Sequence, residues 1–474
     1  MSNRIIERWE EVLSARSGGA IYSPSGECLR TWADIESEAR DFEGRISGRS
    51  IALQTGNHPS FPALVLACLR TGRAATLFDS GFFGSARSQI EERLGIILRV
   101  SAPDGTIVFE ECGRRAKETA GDSICLYKLT SGTTALAETI GFTADQLLAD
   151  CDQVCATMGI RADDLNYGVI ALTHSYGFSN LVTPLLCRGV RLVVASDPLP
   201  RAIESGLRMT GATVLAAVPA MFRGLLSAKS LPESLRLCIS AGSLLDPDLA
   251  MEFSGKFGHK IHTFYGASEC GGICYDASED PVELPGFVGM PLDGVDIGIR
   301  DAAEGSRILV RSRAVGVGMI NGDGGFQPAD LLVRGPQGFC IVGRESDVIN
   351  VAGKKVNPLD IERVLERFPG VREAAVCGVE DPARGQTICA LVAAKNKVPE
   401  IHSLRRHCST HIASWMIPRR FVFVPEIPRN ARGKISRTEI ARAYFPKPAE
   451  KTISATGREN MIASGREKTE RSQP

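Results

Sequence analysis

The sequence predicts an α/β fold in which a large N-terminal domain of packed α/β layers, residues 1–343, precedes a small α+β C-terminal domain, residues 344–446. Three observations predict it. Up to about residue 340, helical patterns alternate with short apolar runs bounded by Gly, Pro and Asp, the rhythm of strand–helix alternation. After "GFCIVGRESD" that rhythm changes to a single helical pattern followed by two strand-like runs, "PLDIERVLERFPGVREAAVCGVEDPARGQTICALVAA". From Lys447 onward the text is polar and free of aromatic residues, so residues 447–474 are expected to form a disordered tail.

Taken in order, the opening "MSNRIIERWEEVLSAR" is a charged amphipathic helix pattern without the apolar core of a signal segment. Within "SIALQTGNHPSFPALVLACLRTGRAATLFD", residues 51–53 read as a strand, 60–70 as a helix and 74–78 as the next strand. "RLVVAS", "TVLAAVP" and "LRLCISAG" repeat the strand pattern further along. The 474 residues correspond to about three folding units at ~150 residues each. No internal repeat is visible.

Composition narrows the functional classes. Lys+Arg and Asp+Glu both number 55, so no global field recruits nucleic acid or an anionic membrane, and binding falls to local sites. No run of about 18 uninterrupted apolar residues marks a membrane span. The 14 cysteines lack C-x-x-C spacing, the closest pairs being Cys151/Cys155 and Cys270/Cys274, which points to reduced thiols and a cytoplasmic protein.

The segment "KLTSGTTALAETIGF", residues 128–142, carries the first sign of chemistry. Thr130, Ser131, Gly132, Thr133 and Thr134 offer four hydroxyls and a run of backbone N–H groups that can cradle phosphate oxygens, or else form a Ser/Thr-rich turn between strands. A Walker loop, G-x-x-x-x-G-K-[ST], fails here, with Ala137 for its glycine and Glu138 for its lysine.

Three further segments follow: "YGASECGG" at residues 265–272, "VGRESDVINVAGKKVNPLDIE" at 342–362 and "IPRNARGKISR" at 427–437. Together with "TSGTT", and in this order, they resemble the signatures of the AMP-forming acyl- and aryl-CoA synthetases and peptide-synthetase adenylation domains: Y-G-x-[ST]-E, the G-R-x-[KD]-D-x-I hinge with G-x-K-V-x-P-x-[ED]-I-E after it, and P-x-x-x-x-G-K-I-x-R. The resemblance covers residues ~10–445. It implies conversion of a small carboxylic acid and ATP into an acyl adenylate and pyrophosphate, then transfer to the phosphopantetheine thiol of CoA or of an acyl carrier protein.

The resemblance also assigns roles, position by position. Glu269 would hold Mg²⁺, a hard cation for a hard oxygen ligand, although a lone glutamate is ordinarily a surface charge. Ser268 would meet the α-phosphate, and Tyr265, with Gly266 after it, would stack on adenine. Ala241 and Gly242, in "SAGSLL", match the turn lying against the adenine, with the family's glycine and proline lost there. Asp330 would accept the ribose hydroxyls, and Arg344 would donate to ribose and phosphate oxygens. Lys434 matches the catalytic lysine bridging carboxylate and α-phosphate. His174, in "ALTHSYGFSNLV", matches the histidine beside the acyl group in members that activate acids without an α-amine. Small residues (Ala217, Ala220, Ala241, Gly242, Gly271, Gly272) leave room for a ring or chain. Ser346 sits at the hinge, about which a mobile small domain would rotate, bringing Gly353 to the thiol tunnel.

Three departures set an alternative, a catalytically weakened or inactive homologue acting as a nucleotide-binding or scaffold protein. Glu138 replaces the loop lysine; facing a phosphate charge at ~4 Å, it would cost about 4 kcal/mol at an effective dielectric of about 20. Either it swings outward, or a metal ion or Lys128 offsets it; the intact hydroxyls and amides favour the first. Ser346 stands where the family hinge has Asp or Lys, and Ala329 replaces the glycine before Asp330.

Overall fold

The computed structural model describes residues 3–112, 123–129, 138–300, 306–351, 354–381, 385–395, 397–429 and 435–446, with the backbone alone at Ser346 and Lys355. Among them the strands form three sheets, of thirteen, six and five strands.

The six-stranded sheet is built on parallel strands Ser50–Gln54, Ala74–Leu77, Leu98–Ser101 and Leu126–Leu129, with the antiparallel partners Val108–Glu111 and Thr139–Phe142 at its edges. All five residues of Ser50–Gln54 are buried, as a strand covered on both faces requires. The helix Phe61–Arg70 that follows it is apolar nearly all round and buried from Phe61 to Leu69, which is why its sequence lacks a polar stripe.

The thirteen-stranded sheet has two halves. Strands Gly19–Tyr22, Arg191–Val194, Leu165–Gly168, Val214–Ala217, Leu237–Ser240 and Ile261–Ala267 lie side by side and parallel, with Cys28–Thr31 antiparallel to Gly19–Tyr22 at the outer edge. Beyond Ile261–Ala267 the pairing turns antiparallel, through Gly271–Tyr275, Phe287–Pro291, Gly338–Arg344, Asp330–Gly335, Ser306–Arg311 and Asp296–Ile299. Asn57 stitches the two larger sheets together: its Nδ2 donates to the carbonyls of Gly168, Ile170 and Ala195, and its Oδ1 accepts from the amide of Leu172.

The amphipathic N-terminal helix runs Arg4–Ala15 and seats Ile5, Trp9 and Val12 in the core. From residue 349 on, a five-stranded sheet of Ile349–Val351, Lys354–Val356, Val371–Asp381, Gly385–Ala394 and Arg420–Val424 packs with helices Pro358–Glu366, Ile401–His411 and Arg437–Tyr444. Its polar clasp is Glu362, which takes two hydrogen bonds of 2.8 Å from Arg437 Nη2 and one of 2.6 Å from the Val376 amide. All fourteen cysteines are free thiols. Among the described residues, no helix is long and apolar enough to cross a membrane.

Candidate functional site

In a parallel sheet flanked by helices, ligands gather outside the carboxyl ends of the strands, where loops and helix starts converge. Ala217, Ser240 and Thr263 lie in register across three adjacent parallel strands, so the segments just after them leave the sheet at one edge. Those segments contain Ala241–Gly242 and the run from Tyr265 to Glu269. The Ala241 amide donates to Ala217 O at 3.3 Å, and the buried Ala241 gives way to an exposed Gly242 in the left-handed region at φ +87°.

The antiparallel half brings two more residues to this place. Asp330 opens one strand and Arg344 closes its neighbour, and the two are cross-strand partners. Arg344 Nε lies 3.7 Å from Asp330 Oδ1, while the hydroxyl of Tyr265 donates to Asp330 Oδ2 at 2.9 Å. Tyr265 is buried, and burial together with the Asp330 charge pushes its phenol well above the usual range, so it stays a neutral donor. The carboxylate is thus aimed from both sides yet keeps a quarter of its side chain exposed. Gly266 is required by close approach: a Cβ there would stand 2.6 Å from the backbone oxygen of Gly271.

A second cluster adjoins it. His174 caps the short helix Ser175–Gly177, its Nδ1 accepting from the Tyr176 amide at 3.4 Å. Ser175 and Ser268 share a 2.9 Å hydroxyl contact, which joins the His174 segment to the turn carrying Glu269. The backbone of that turn is fixed by the Gly316 amide donating to Glu269 O at 2.8 Å. Tyr176 lies deeper, its hydroxyl donating to Ile239 O at 3.0 Å and its ring 5.9 Å from that of Phe264. Sequence reasoning did not single out Tyr176 or Ser175; their position beside His174 was the available signal.

Six sequence-selected residues therefore meet along this edge, Ala241, Gly242, Tyr265, Gly266, Asp330 and Arg344, with Ser268, Glu269 and His174 alongside through Ser175. Ser346 lies in a single turn, Glu345–Asp347, directly after Arg344. Thr130, Ser131, Gly132, Thr133, Thr134, Gly353 and Lys434 lie outside the described residues.

The stem of the 130–137 segment is described. Leu126–Leu129 and Thr139–Phe142 pair antiparallel, with Leu129 opposite Thr139. The loop therefore joins two strands, whereas a Walker loop runs from a strand into a helix. Glu138 is exposed at its exit. Lys128 cannot offset it, because its side chain is 1% exposed and its Nζ points to Ser179 Oγ, 3.4 Å away, with the rings of Phe142 and Phe178 at 4.8 and 5.7 Å.

The donor set at the Ser268–Glu269 turn suits a hard cation: a carboxylate and a hydroxyl are oxygen ligands. Cys270 beside them is no thiolate competitor, since burial, reinforced by Glu269 and Asp150, pushes its thiol well above the usual range.

Residues 96–326 match the family model described as AMP-binding enzyme, and residues 360–434 the one described as AMP-binding enzyme C-terminal domain. The chain is 27% identical over 456 residues to a 2-succinylbenzoate–CoA ligase of Bacillus pumilus, covering 88% of this chain and 93% of the relative. It superposes on the ATP-bound MatB of Rhodopseudomonas palustris with a TM-score of 0.80, 20% identity and coverage of 94% and 99% of the two chains. Against o-succinylbenzoate CoA synthetase (MenE) from Bacillus subtilis in complex with the acyl-adenylate intermediate OSB-AMP, the TM-score is 0.76 at 21% identity, covering 93% and 98%. At such identities the two structural likenesses establish the fold.

Proposed function

This chain belongs to the AMP-binding enzymes, the superfamily of AMP-forming acyl- and aryl-CoA synthetases, and from that premise we infer an AMP-forming acid–thiol ligase. It activates a carboxylic acid with ATP to an acyl adenylate, releasing pyrophosphate, and then forms a thioester with CoA. The observation that carries the reading is the Asp330 carboxylate, oriented by Tyr265 and Arg344. An acceptor pair held in this way is suited to two vicinal hydroxyls, as a ribose presents.

Each remaining role follows from position and chemistry. The Ala241–Gly242 turn would lie against the base, and Tyr265, with Gly266 after it, would stack on it. Arg344, half exposed, would turn its planar donor face to ribose and phosphate oxygens. Ser268 and the hydroxyls of residues 130–134 would donate to phosphates. Glu269 would hold Mg²⁺, which when bound supplies neutralising charge for the phosphates. His174, one residue from the Ser175–Ser268 contact, would lie beside the acyl carboxylate. Lys434 would donate to the carboxylate and α-phosphate as charge builds between them, and its delivery would require the 344–446 unit to rotate about Ser346 relative to 1–343. Gly353 would then border the pantetheine path.

The finer reading is a substrate without an α-amine, handled by a cytoplasmic enzyme that uses free CoA in preference to an acyl carrier protein. The named relative acts on 2-succinylbenzoate, so aryl acids head the panel. The test is to incubate the protein with ATP, Mg²⁺, CoA and a panel of acids, and to quantify AMP and thioester together. Equimolar AMP and CoA thioester supports the reading; AMP formed without thioester, unless a carrier protein is supplied, moves the acceptor to the carrier. Neither product with any acid would favour the weakened homologue suggested by Glu138 and Ser346.

A further inference from the structure

A buried chain of polar groups runs beneath the candidate site and is used by none of the roles above. Lys128, Asp150 and Ser179 are 1%, 3% and 3% exposed. Lys128 Nζ donates to Ser179 Oγ at 3.4 Å, and Ser179 donates onward to Asp150 Oδ2 at 2.5 Å. The other oxygen of that carboxylate, Oδ1, accepts the Gly272 amide at 2.9 Å. An ionisable pair is thus withdrawn from water together, burial pulling the Lys128 ammonium's pKa down while the neighbouring Asp150 opposes that fall, at a desolvation cost that packing alone does not explain.

The two ends of the chain are informative. Lys128 is two residues before Thr130, on the strand that enters the candidate phosphate loop. Gly272 is three residues after Glu269. Asp150, on the helix Ala144–Met158, spans the distance between them. The fit at the second end is close: Gly271 adopts φ +72°, and a Cβ there would stand 2.1 Å from Asp150 Oδ1. The same turn is tied from the opposite side, where the Gly316 amide meets Glu269 O at 2.8 Å and the Val317 amide meets Gly141 O at 2.9 Å, on the strand leaving the loop. Both strands of the loop stem are therefore tied, through different intermediaries, to the Ser268–Gly272 turn.

We propose that Lys128 and Asp150 are positioning residues: their buried charge pair, acting through Ser179 and the Gly272 amide, fixes the Glu269 turn against the stem of the 130–137 loop. The inference rests on the ligase reading, in which loop and turn share the magnesium–nucleotide. The lysine is needed because Asp150 would otherwise be a buried carboxylate whose charge only an amide and a hydroxyl offset. Such a group would recruit water or expel the turn that packs on it.

The proposal separates charge balance from mere packing, and the variants K128M, D150N and K128M/D150N test it in the full-length protein. The measurements are the dissociation constant for Mg·ATP by calorimetry, amide hydrogen exchange over residues 268–275, and the thermal midpoint. K128M should weaken Mg·ATP by about tenfold or more and speed exchange across the turn. K128M/D150N, in which the amide oxygen still accepts from Gly272, should bind within about threefold of the parent and regain protection. A purely structural role would lower the thermal midpoint in all three variants without this rescue. Parent-like affinity in K128M, or a folded double variant that binds no better than K128M, overturns the inference. Should K128M not fold, the double variant decides by the same threefold criterion. A parent protein that binds Mg·ATP but forms no adenylate with any acid would defeat the ligase reading, while the variants would still report on the positioning pair through binding.

Discussion

Replacing Asp330 by alanine tests the proposed nucleotide site where its geometry is best defined. The carboxylate takes one hydrogen bond of 2.9 Å from the buried Tyr265 hydroxyl and faces Arg344 at 3.7 Å, and a quarter of its side chain stays open to solvent. A hydrogen bond to a charged group contributes about 1.5–3 kcal/mol. Loss of the contacts to both ribose hydroxyls should therefore cost about 3 kcal/mol or more, or roughly two orders of magnitude in KM for ATP. The fold should lose about 1–3 kcal/mol as well, because the Tyr265 hydroxyl is left buried without its acceptor. The decisive assay compares ATP with 2′-deoxy-ATP in adenylate formation. The parent should prefer ATP by about tenfold, as expected for one such bond, and Asp330→Ala should not distinguish the two nucleotides. A variant that discriminates as strongly as the parent would refute the assignment of Asp330 to the ribose, whatever its overall activity.

Other consequences are as specific. Lys434→Ala should slow adenylate formation by about 2.7–4 kcal/mol, the range for losing one preorganised donor to a developing charge; an unchanged rate of adenylate formation contradicts its role. Gly266→Ala forces a methyl to within 2.6 Å of the Gly271 carbonyl, so KM for ATP should rise by about tenfold or more, through displacement of the turn that carries Ser268 and Glu269. Outside the residues assigned to the site, Glu91 is wholly buried and meets Arg87 Nε at 2.8 Å and Arg99 Nη2 at 2.6 Å. Burial pushes its carboxyl up, but both arginines outweigh that and hold it below its ordinary 4.5. Because the folded value is the lower one, this stabilisation is complete above pH 4.5 and is lost as pH falls through the folded value. Glu91→Gln should cost about 3–5 kcal/mol near pH 7, and chemical denaturation across pH 3–6 should show a shallower acid limb than the parent's.

The α/β class was legible because buried parallel strands read as apolar runs between helical patterns: the expected strand at 51–53 is Ser50–Gln54, and the helix at 60–70 is Phe61–Arg70. The antiparallel half of the large sheet was not. Its pairing of Phe287–Pro291 with Gly338–Arg344 joins segments some fifty residues apart, and nothing local in either announces the partner. The site shows the same division. Asp330 and Arg344 could be picked from motifs, but their cross-strand pairing and the Tyr265 hydroxyl on Asp330 are tertiary facts. Lys128 illustrates the limit best. In sequence it looks like a spare cation beside a phosphate loop, whereas strand alternation turns it inward, toward Ser179 and Asp150.

Exchange of labelled pyrophosphate into ATP, measured without CoA across a panel of aryl and acyl acids, is the sharpest test of the proposed adenylate formation with Asp330, Glu269 and Lys434 as site residues. Exchange should depend on one class of acid and on Mg²⁺, fall sharply in Asp330→Ala and Lys434→Ala, and need no thiol. Exchange that is absent with every acid, or that survives in both variants at the parent's rate, would contradict it.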